Sequence, residues 1–312
     1  MGVPCDIGSP SWSQLINSAT IARTMEGTFG PNHERQEQIA AALRRIEGGS
    51  CRLMGVLNVT PDSFHKASRL TTAEEAIASG LAMWHDGATW LDVGGESTRP
   101  GAEPVNPEQE KQRVLPVIEG LRRANPEGMI SIDTRRPSVA RAALKAGADM
   151  INDVSGLRDP EMVNLVLEAG CAVCIMHMQG TPGTMQAKPT YTNCASEVSE
   201  QLLETARALK MAGHPSHLIA LDPGIGFGKT LDHNIELLQN HHLLRGIEGY
   251  AVLWGVSRKS MIGSITGKET SNDRLAGTLG VAALAHYEGI ELLRVHDVDE
   301  HADLLKVLDV LS

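Results

Sequence analysis

From Cys51 onward, short apolar runs alternate with longer runs in which apolar residues recur at helical spacing. Each apolar run is about the length of a strand that is buried on both faces of a parallel sheet. The predicted strands are LMGVLN (53–58), TWLDV (89–93), MISI (129–132), DMIN (149–152), AVCIM (172–176), HLIAL (217–221), AVLWGV (251–256) and ELLRV (291–295). Helical runs separate them, and several end in glycine, as helix C-termini often do. The alternation predicts an α/β fold.

The number of predicted strands distinguishes two architectures of this class. A doubly wound open sheet usually has five to seven strands, whereas a (β/α)8 TIM barrel has eight. Eight strands therefore favour the barrel. The less common residues support this, because Asn58, Asp133, Asn152, Asp222 and Arg294 all fall at the ends of predicted strands. In a barrel these ends share one mouth, where active sites are built.

Residues 1–50 differ from the rest of the chain. The first 33 residues mix Ser, Thr, Gly, Pro and Asn with scattered apolar residues, and 34–47 is a helix candidate with Ile39, Leu43 and Ile46 at helical spacing. The pair Gly48-Gly49 is expected to stop this helix. We interpret 1–50 as an N-terminal extension that packs on a barrel domain spanning 51–312.

Composition narrows the possible partners and compartments. The 312 residues include 28 Lys and Arg against 38 Asp and Glu, a net charge of −10, which argues against nucleic acid or an anionic membrane as the main partner. Five cysteines form no recognisable disulfide framework. No apolar run is long enough to span a membrane, and the first residues do not resemble a secretory signal. We expect a cytoplasmic protein.

Asp133, Asn152 and Asp222 are the polar residues that best indicate a ligand. A carboxylate accepts two parallel N–H bonds from a guanidine-like edge, and an amide both donates and accepts. Such a set suits a flat heterocycle. Each residue could instead cap the helix that follows its strand. That alternative weakens when three of them converge on one barrel mouth.

Three further segments carry candidate binding groups. DPGIGFGKT (222–230) is not a phosphate loop, because Pro223 stands where that motif needs glycine. Its glycines would let the backbone approach a ligand closely. Lys229 is either part of the site or a solvated loop charge. In SRKS (257–260) the two serines are expected to cap a helix start and, with Arg258 and Lys259, to form an anion site. Arg294 and His296 in RVHDV, with Thr98 and Arg99, are expected to hold a diphosphate.

Signals for a metal are weak. The twelve histidines show no HExxH motif. Cys171 and Cys174 are three residues apart on a predicted strand, so they point to opposite faces and are expected to be core residues. A Mg²⁺ ion shared between a ligand diphosphate and one or two protein oxygens would leave little trace in the sequence.

Eight motifs in order resemble the dihydropteroate synthase family over essentially everything after residue 50. They are MGVLNVTPDSF (54–64), GGESTRPGA (94–102), SIDT (131–134), INDVSG (151–156), MHMQGTP (176–182), DPGIGFGKT (222–230), SRKS (257–260) and RVHD (294–297). The resemblance implies a homodimeric (β/α)8 barrel, a Mg²⁺-dependent transferase of folate biosynthesis that sulfonamides inhibit. It joins 6-hydroxymethyl-7,8-dihydropterin diphosphate to 4-aminobenzoate, giving 7,8-dihydropteroate and diphosphate.

The resemblance also implies roles for individual residues. The pterin would be held by Asp133, Asn152, Asp222 and Lys259. The diphosphate would be held by Asn58, Arg294 and His296, with Asn58 also a ligand of Mg²⁺. The 4-aminobenzoate site would be formed by Phe64, Thr98, Arg99, Pro100, Phe227 and Ser260. Lys259, Arg294 and His296 would act in catalysis, and no covalent enzyme nucleophile is required.

One loop departs from the family pattern. The family usually continues DSF with Ser-Asp-Gly-Gly, whereas this chain has His65, Lys66, Ala67 and Ser68. We hypothesise that Lys66 partly replaces metal charge at the diphosphate. Two other functions remain open: a methyltransferase barrel that binds reduced folate, and a paralogue that binds pterin without turnover.

Overall fold

The computed structural model describes residues 29–45, 49–59, 69–96, 105–181 and 183–311. Several predictions therefore lie outside the described residues. These are the site residues Phe64, Thr98, Arg99 and Pro100 and the departures at His65, Lys66, Ala67 and Ser68.

Eight parallel strands form a closed barrel in which each strand pairs with the next and β8 pairs with β1. The strands are β1 (Arg52–Asn58), β2 (Trp90–Gly94), β3 (Met129–Asp133), β4 (Met150–Asp153), β5 (Ala172–Met176), β6 (Ile219–Asp222), β7 (Ala251–Trp254) and β8 (Leu292–Val295). The barrel prediction is confirmed, and the open sheet is excluded.

Ten α-helices lie within the described ranges. They are α1 (His33–Ala42), α2 (Arg69–His85), α3 (Pro107–Ala124), α4 (Pro137–Ala146), α5 (Pro160–Ala169), α6 (Cys194–Met211), α7 (Leu231–Gln239), α8 (Ser260–Thr266), α9 (Leu275–Tyr287) and α10 (Val298–Leu311). Helices α4 and α5 end at Gly147 and Gly170, both left-handed, as glycine at a C-terminus predicts. No helix of the described ranges is long and apolar enough to cross a membrane.

Alternation along the strands divides the core into two layers. Met54, Trp90, Met150, Cys174 and Leu292 belong to the cluster inside the barrel. Their strand neighbours belong to a larger cluster that includes much of the helical layer. Cys171 and Cys174 fall in different clusters and are both free and buried, so their assignment to the core is confirmed.

Helix α1 closes one end of the barrel. Ile39 and Leu43 are fully buried in the inner cluster, and the Trp90 indole donates to the Ala42 carbonyl at 3.0 Å. Arg35 makes two bonds to the buried Asp149 carboxylate at 2.8 and 3.0 Å. This part of the extension therefore packs on the barrel as expected.

The predicted end of this first helix is wrong. Helix α1 stops at Ala42, well before Gly48-Gly49. Beyond the helix, Arg45 donates to the carbonyl of Gly49 and to that of the distant His286. Those contacts are made by residues that helical periodicity does not reveal.

Candidate active site

The even-numbered strands each place one polar side chain just above an apolar one inside the barrel. Trp90, Met150, Ala220 and Leu292 belong to the inner cluster, and the residues two positions later are Asp92, Asn152, Asp222 and Arg294. Side chains two apart on a strand share a face, so all four polar groups point inward. In a (β/α)8 barrel, side chains from alternate strands share one layer, and here the upper layer is polar.

The predicted pterin residues line one cavity. Its walls are formed by Asp133, Asn152, Val154, Met176, Asp222, Phe227, Gly255, Lys259 and Arg294. Asp133, Asn152, Asp222, Lys259 and Arg294 thus lie together, as the sequence predicts. The cavity measures about 20 Å³, roughly the space of one water molecule.

Arg294 lines this cavity and bridges two carboxylates. Its Nε lies 2.6 Å from Asp92 Oδ2, and its Nη2 lies 2.8 Å from Asp133 Oδ2. Asn152 Nδ2 donates to the same Asp92 oxygen at 3.0 Å. One planar guanidinium thus donates one hydrogen bond to each of the two carboxylates, Asp92 and Asp133.

Charges at the floor of the cavity shift one another's pKa values. Burial raises the pKa of Asp133, and Asp92 adds to the rise while Arg294 opposes it. Burial also raises the pKa of Asp222, against the nearby Lys259 ammonium. For Lys259, burial lowers the pKa to about 8, with Asp222 resisting the change. Perturbation by burial and named charge partners is typical of functional sites.

Lys259 is held between the loop that follows β6 and the end of β7. Its Nζ donates to the Ile225 carbonyl and lies 4.5 Å from the centre of the Phe227 ring. A Cβ at Gly255 would lie 3.5 Å from Asp222 Oδ2 and 3.9 Å from Lys259 Nζ. The bare backbone at Gly255 leaves the space between these two charged groups open to the cavity.

In the loop 222–230, Gly224 and Gly228 pack against the backbone of His177 and Gln179, just after β5, whereas a Cβ at Gly226 would lie 3.4 Å from Lys259 Cδ. Gly224 has a φ of +67°, and a Cβ there would lie 1.9 Å from the His177 carbonyl oxygen. Lys229 is 3% exposed and contacts His177 and the Phe227 carbonyl. The prediction of close approach to a ligand is therefore wrong for Gly224, and the solvated alternative is wrong for Lys229.

The expected serine caps of the SRKS segment are also wrong. Helix α8 has Lys259 as its N-cap residue, without a side-chain cap bond. Ser257 Oγ instead lies 3.0 Å from His296 Nδ1 and accepts from the His296 backbone N–H at 3.2 Å. Arg258 is ion-paired with Asp297, because its Nε donates to Oδ2 at 2.9 Å and its Nη2 donates to Oδ1. Its charge is thus engaged by a neighbouring loop, and Ser260 lies exposed at the first turn.

Asn58 lies at the mouth beside Asp133. A Cβ at Gly94 would lie 3.6 Å from Asn58 Oδ1 and 3.7 Å from Asp133 Oδ2. Within the described ranges, no group of three or more His, Cys, Asp or Glu could hold a metal ion.

Sequence reasoning missed Asp92 as a site residue. Asp92 is fully buried and accepts from both Arg294 and Asn152. A signal was present, because Asp92 is the single charged residue in the otherwise apolar run TWLDV. Buried carboxylates are rare unless they are paired, so a charge inside a strand points to a partner.

Comparisons with known proteins agree with this geometry. A family model described as pterin binding enzyme matches residues 54–296. The dihydropteroate synthase of Escherichia coli strain K12 is 42% identical over 261 residues, covering 82% of this chain and 90% of that protein.

Two solved structures are similar in fold and sequence. Xanthomonas albilineans dihydropteroate synthase with 4-aminobenzoic acid has a TM-score of 0.79 and 43% identity, over 86% of this chain and 94% of that one. The Burkholderia cenocepacia enzyme complexed with 7,8-dihydropteroate has a TM-score of 0.75 and 40% identity, over 84% and 91%. This chain belongs to the dihydropteroate synthase family of pterin-binding enzymes.

Proposed function

We propose that this chain joins 6-hydroxymethyl-7,8-dihydropterin diphosphate to 4-aminobenzoate, forming 7,8-dihydropteroate and diphosphate. The observation that carries the proposal is the cavity lined by Asp133, Asn152, Asp222, Lys259 and Arg294 at the carboxyl ends of the barrel strands. Similar proteins with 4-aminobenzoic acid or 7,8-dihydropteroate bound support the substrate assignment.

The polar layer suits the pyrimidine edge of a pterin. That edge carries an amino group and ring N–H groups, which donate, beside a carbonyl oxygen and a ring nitrogen, which accept. Asp133 and Asp222 would accept from the donors, and the Asn152 amide and the Lys259 ammonium would donate to the acceptors. Arg294 already presents a comparable edge to Asp133, and it would release Asp133 as the pterin enters while keeping its bond to Asp92.

The reaction replaces a C–O bond by a C–N bond at the pterin methylene. The C–O bond to diphosphate breaks and its electron pair leaves with diphosphate, while the arylamine nitrogen supplies the pair for the new bond. The arylamine then loses one proton to solvent. Oriented carboxylates stabilise the positive charge that develops on the methylene, and Arg294 and His296 stabilise the departing anion.

His296 is held in place for this role by Ser257. The two contacts from Ser257 Oγ, at 3.0 Å to Nδ1 and 3.2 Å to the backbone nitrogen, fix the ring next to β8. Nε and Nη2 of Arg294 are engaged by carboxylates, and Nη1 has no hydrogen-bond partner in the part of the chain that the structure describes. That nitrogen would donate to a phosphate oxygen of the leaving group.

The residues at the mouth fit a Mg²⁺ ion of the kind that substrate phosphates bring. Mg²⁺ is usually bound by one or two protein oxygens, with water and phosphate oxygens completing its shell. The Asn58 amide oxygen, which faces the same corner as Asp133, would be the protein ligand. Bound there with the diphosphate, Mg²⁺ would neutralise charge on the leaving group.

The arylamine would bind against Phe227. This side chain lines the cavity and packs against the small apolar cluster of Val154, Met176, Met178 and Met185. Ser260, exposed at the start of α8, would contact the 4-aminobenzoate carboxylate. We also propose that the protein is a cytoplasmic homodimer, that it uses Mg²⁺, and that sulfonamides inhibit it by occupying this arylamine site.

The test is diphosphate release with the full chain, Mg²⁺ and both substrates. We expect release that requires the pterin diphosphate and 4-aminobenzoate together, with 7,8-dihydropteroate formed in equal amount. Pterin binding without turnover would contradict the proposal and favour the inactive paralogue. Methyl transfer from reduced folate to a cobalamin carrier, without diphosphate chemistry, would favour the methyltransferase.

A further inference from the structure

A buried lysine behind the active-site wall has no role in the reaction described above. Lys229 lies in the loop between β6 and α7 and is 3% exposed, while His177, at the end of β5, is 6% exposed. Lys229 Nζ lies 2.9 Å from His177 Nδ1 and donates to the carbonyls of His177 at 3.3 Å and Phe227 at 3.0 Å. Its partners are thus an imidazole and two backbone carbonyls.

The number of donors on this side chain matches the number of acceptors around it. A lysine ammonium carries three N–H donors and no acceptor, and three acceptors surround it here. His177 Nδ1 is the ring atom that faces Lys229, and it accepts when the imidazole carries its proton on Nε2. A buried charge normally remains charged only when it is fully hydrogen-bonded, as this one is.

The contact to the Phe227 carbonyl connects Lys229 to the cavity. Other loop residues have other supports, because the Tyr191 hydroxyl donates to the Gly228 carbonyl at 2.9 Å and Gln186 donates to that of Gly226 at 2.7 Å. Phe227 is held through its own carbonyl by Lys229, while its ring faces the cavity 4.5 Å from Lys259 Nζ.

We infer that Lys229 is a positioning residue for the arylamine substrate, which ties the Phe227 wall to the end of β5 through His177. The inference rests on the proposed function, because it assigns Phe227 to the arylamine side of the cavity. Lys229 touches neither substrate. Its loss should loosen Phe227 and weaken arylamine binding, while Asp133, Asn152 and Asp222 still hold the pterin.

The surroundings of Lys229 give this role a pH dependence. Burial lowers the pKa of Lys229 to about 7, with Cys194 and Asp222 opposing the change and Lys259 adding to it. Burial, Lys229 and Arg158 lower the pKa of His177 to about 3, so the imidazole stays neutral. As pH rises past neutrality, the ammonium becomes an amine with two donors facing three acceptors. One contact is lost, and the KM for 4-aminobenzoate should rise.

The experiment compares Lys229→Met with Lys188→Met, which removes an exposed lysine from the neighbouring loop. The full chain is assayed by diphosphate release with each substrate varied in turn, between roughly pH 6 and 9. We expect Lys229→Met to raise the KM for 4-aminobenzoate about tenfold, the equivalent of one or two hydrogen bonds, with kcat and the pterin KM within about threefold. Lys188→Met should match the wild type.

The pH profile separates positioning from a general structural effect. The wild-type KM for 4-aminobenzoate should rise through pH 7, and this step should be absent from Lys229→Met, whereas any step due to Lys259 near pH 8 should persist. 4-Aminobenzoate itself has no group that titrates in this range. An unchanged KM, an equal rise for both substrates, or a step that survives in Lys229→Met would overturn the inference.

A second pair of variants decides the matter if Lys229→Met does not fold. His177→Asn keeps an acceptor close to the Nδ1 position, and His177→Leu removes it. We expect His177→Asn to retain the wild-type KM for 4-aminobenzoate and His177→Leu to raise it, and equal values for the two would reject the inference. A wild-type chain that released no diphosphate would instead reject the proposed function itself.

Discussion

Replacing Asp92 by Asn tests the polar layer at its most buried point. Asp92 is fully buried, and its Oδ2 accepts from Arg294 Nε at 2.6 Å and from Asn152 Nδ2 at 3.0 Å, while its Oδ1 has no partner within the described residues. Asparagine has nearly the same shape and can keep both accepted bonds. The substitution therefore removes the negative charge and places an NH₂ group where Oδ1 was.

Two effects set the expected size of the change. A bond to a charged acceptor exceeds a neutral one by about 1 kcal/mol, and a buried donor without a partner costs about 1–3 kcal/mol. The free energy of unfolding should therefore fall by roughly 2–4 kcal/mol, which lowers Tm by roughly 3–6 °C in a domain of this size. Arg294 would lose its anchor, and a displacement of about 1 Å at a reacting group lowers kcat/KM roughly 100-fold.

The assays are urea unfolding followed by circular dichroism and diphosphate release under kcat/KM conditions. Asp303→Asn is the matched control, because Asp303 pairs with Lys306 at 3.0 Å while both side chains are about 70% exposed. The control should equal the wild type in both assays. Asp92→Asn with a loss of stability below about 1 kcal/mol and an unchanged kcat/KM would refute the account of Arg294.

Three further predictions concern the barrel end, the first loop and acid. Ile39→Ala, in the fully buried face of α1, should lower the free energy of unfolding by about 2–5 kcal/mol and leave both KM values unchanged; wild-type stability would mean that α1 does not seal the barrel. His65→Ser with Lys66→Asp should make turnover more dependent on Mg²⁺ than in the wild type, and identical magnesium titrations would reject the role of Lys66. Burial lowers the pKa of His177 to about 3 in the folded protein, whereas an unfolded histidine has a pKa of about 6.5. Between these two pH values only the unfolded chain binds the proton, so the free energy of unfolding should fall as pH drops from about 6.5 toward 3. Urea midpoints should fall less in His177→Asn, and equal falls would contradict this assignment.

The fold was readable from the sequence because its signals are local. The run AVCIM coincides with β5. The lengths of the apolar runs and their alternation with helical runs are enough to predict the eight strands of the barrel. The differences from the prediction lie at the boundaries of elements. Helix α1 ends early, where Arg45 reaches His286, and β6 begins late because Ser216–Leu218 forms a 3-10 turn.

The site was readable only where residues follow a strand. Asp133, Asn152, Asp222 and Arg294 meet because strand ends converge, which a count of strands already implies. The SRKS serines were misassigned because capping is a local rule, and the partner of Ser257 is His296, 39 residues away. Burial decides the role of Lys229, and sequence spacing around a single lysine carries no information on burial.

The central claim is that the polar layer inside the barrel binds the pterin. Its most direct test is calorimetric titration of a pterin monophosphate or a pterin carboxylate into Asp222→Asn, with the exposed Asp232→Asn as control. Loss of a hydrogen bond to a charged acceptor predicts roughly 10- to 100-fold weaker binding to Asp222→Asn, and wild-type binding to Asp232→Asn. Equal affinity of Asp222→Asn and wild type would contradict the claim, because Asp222 would then lie outside the pterin site.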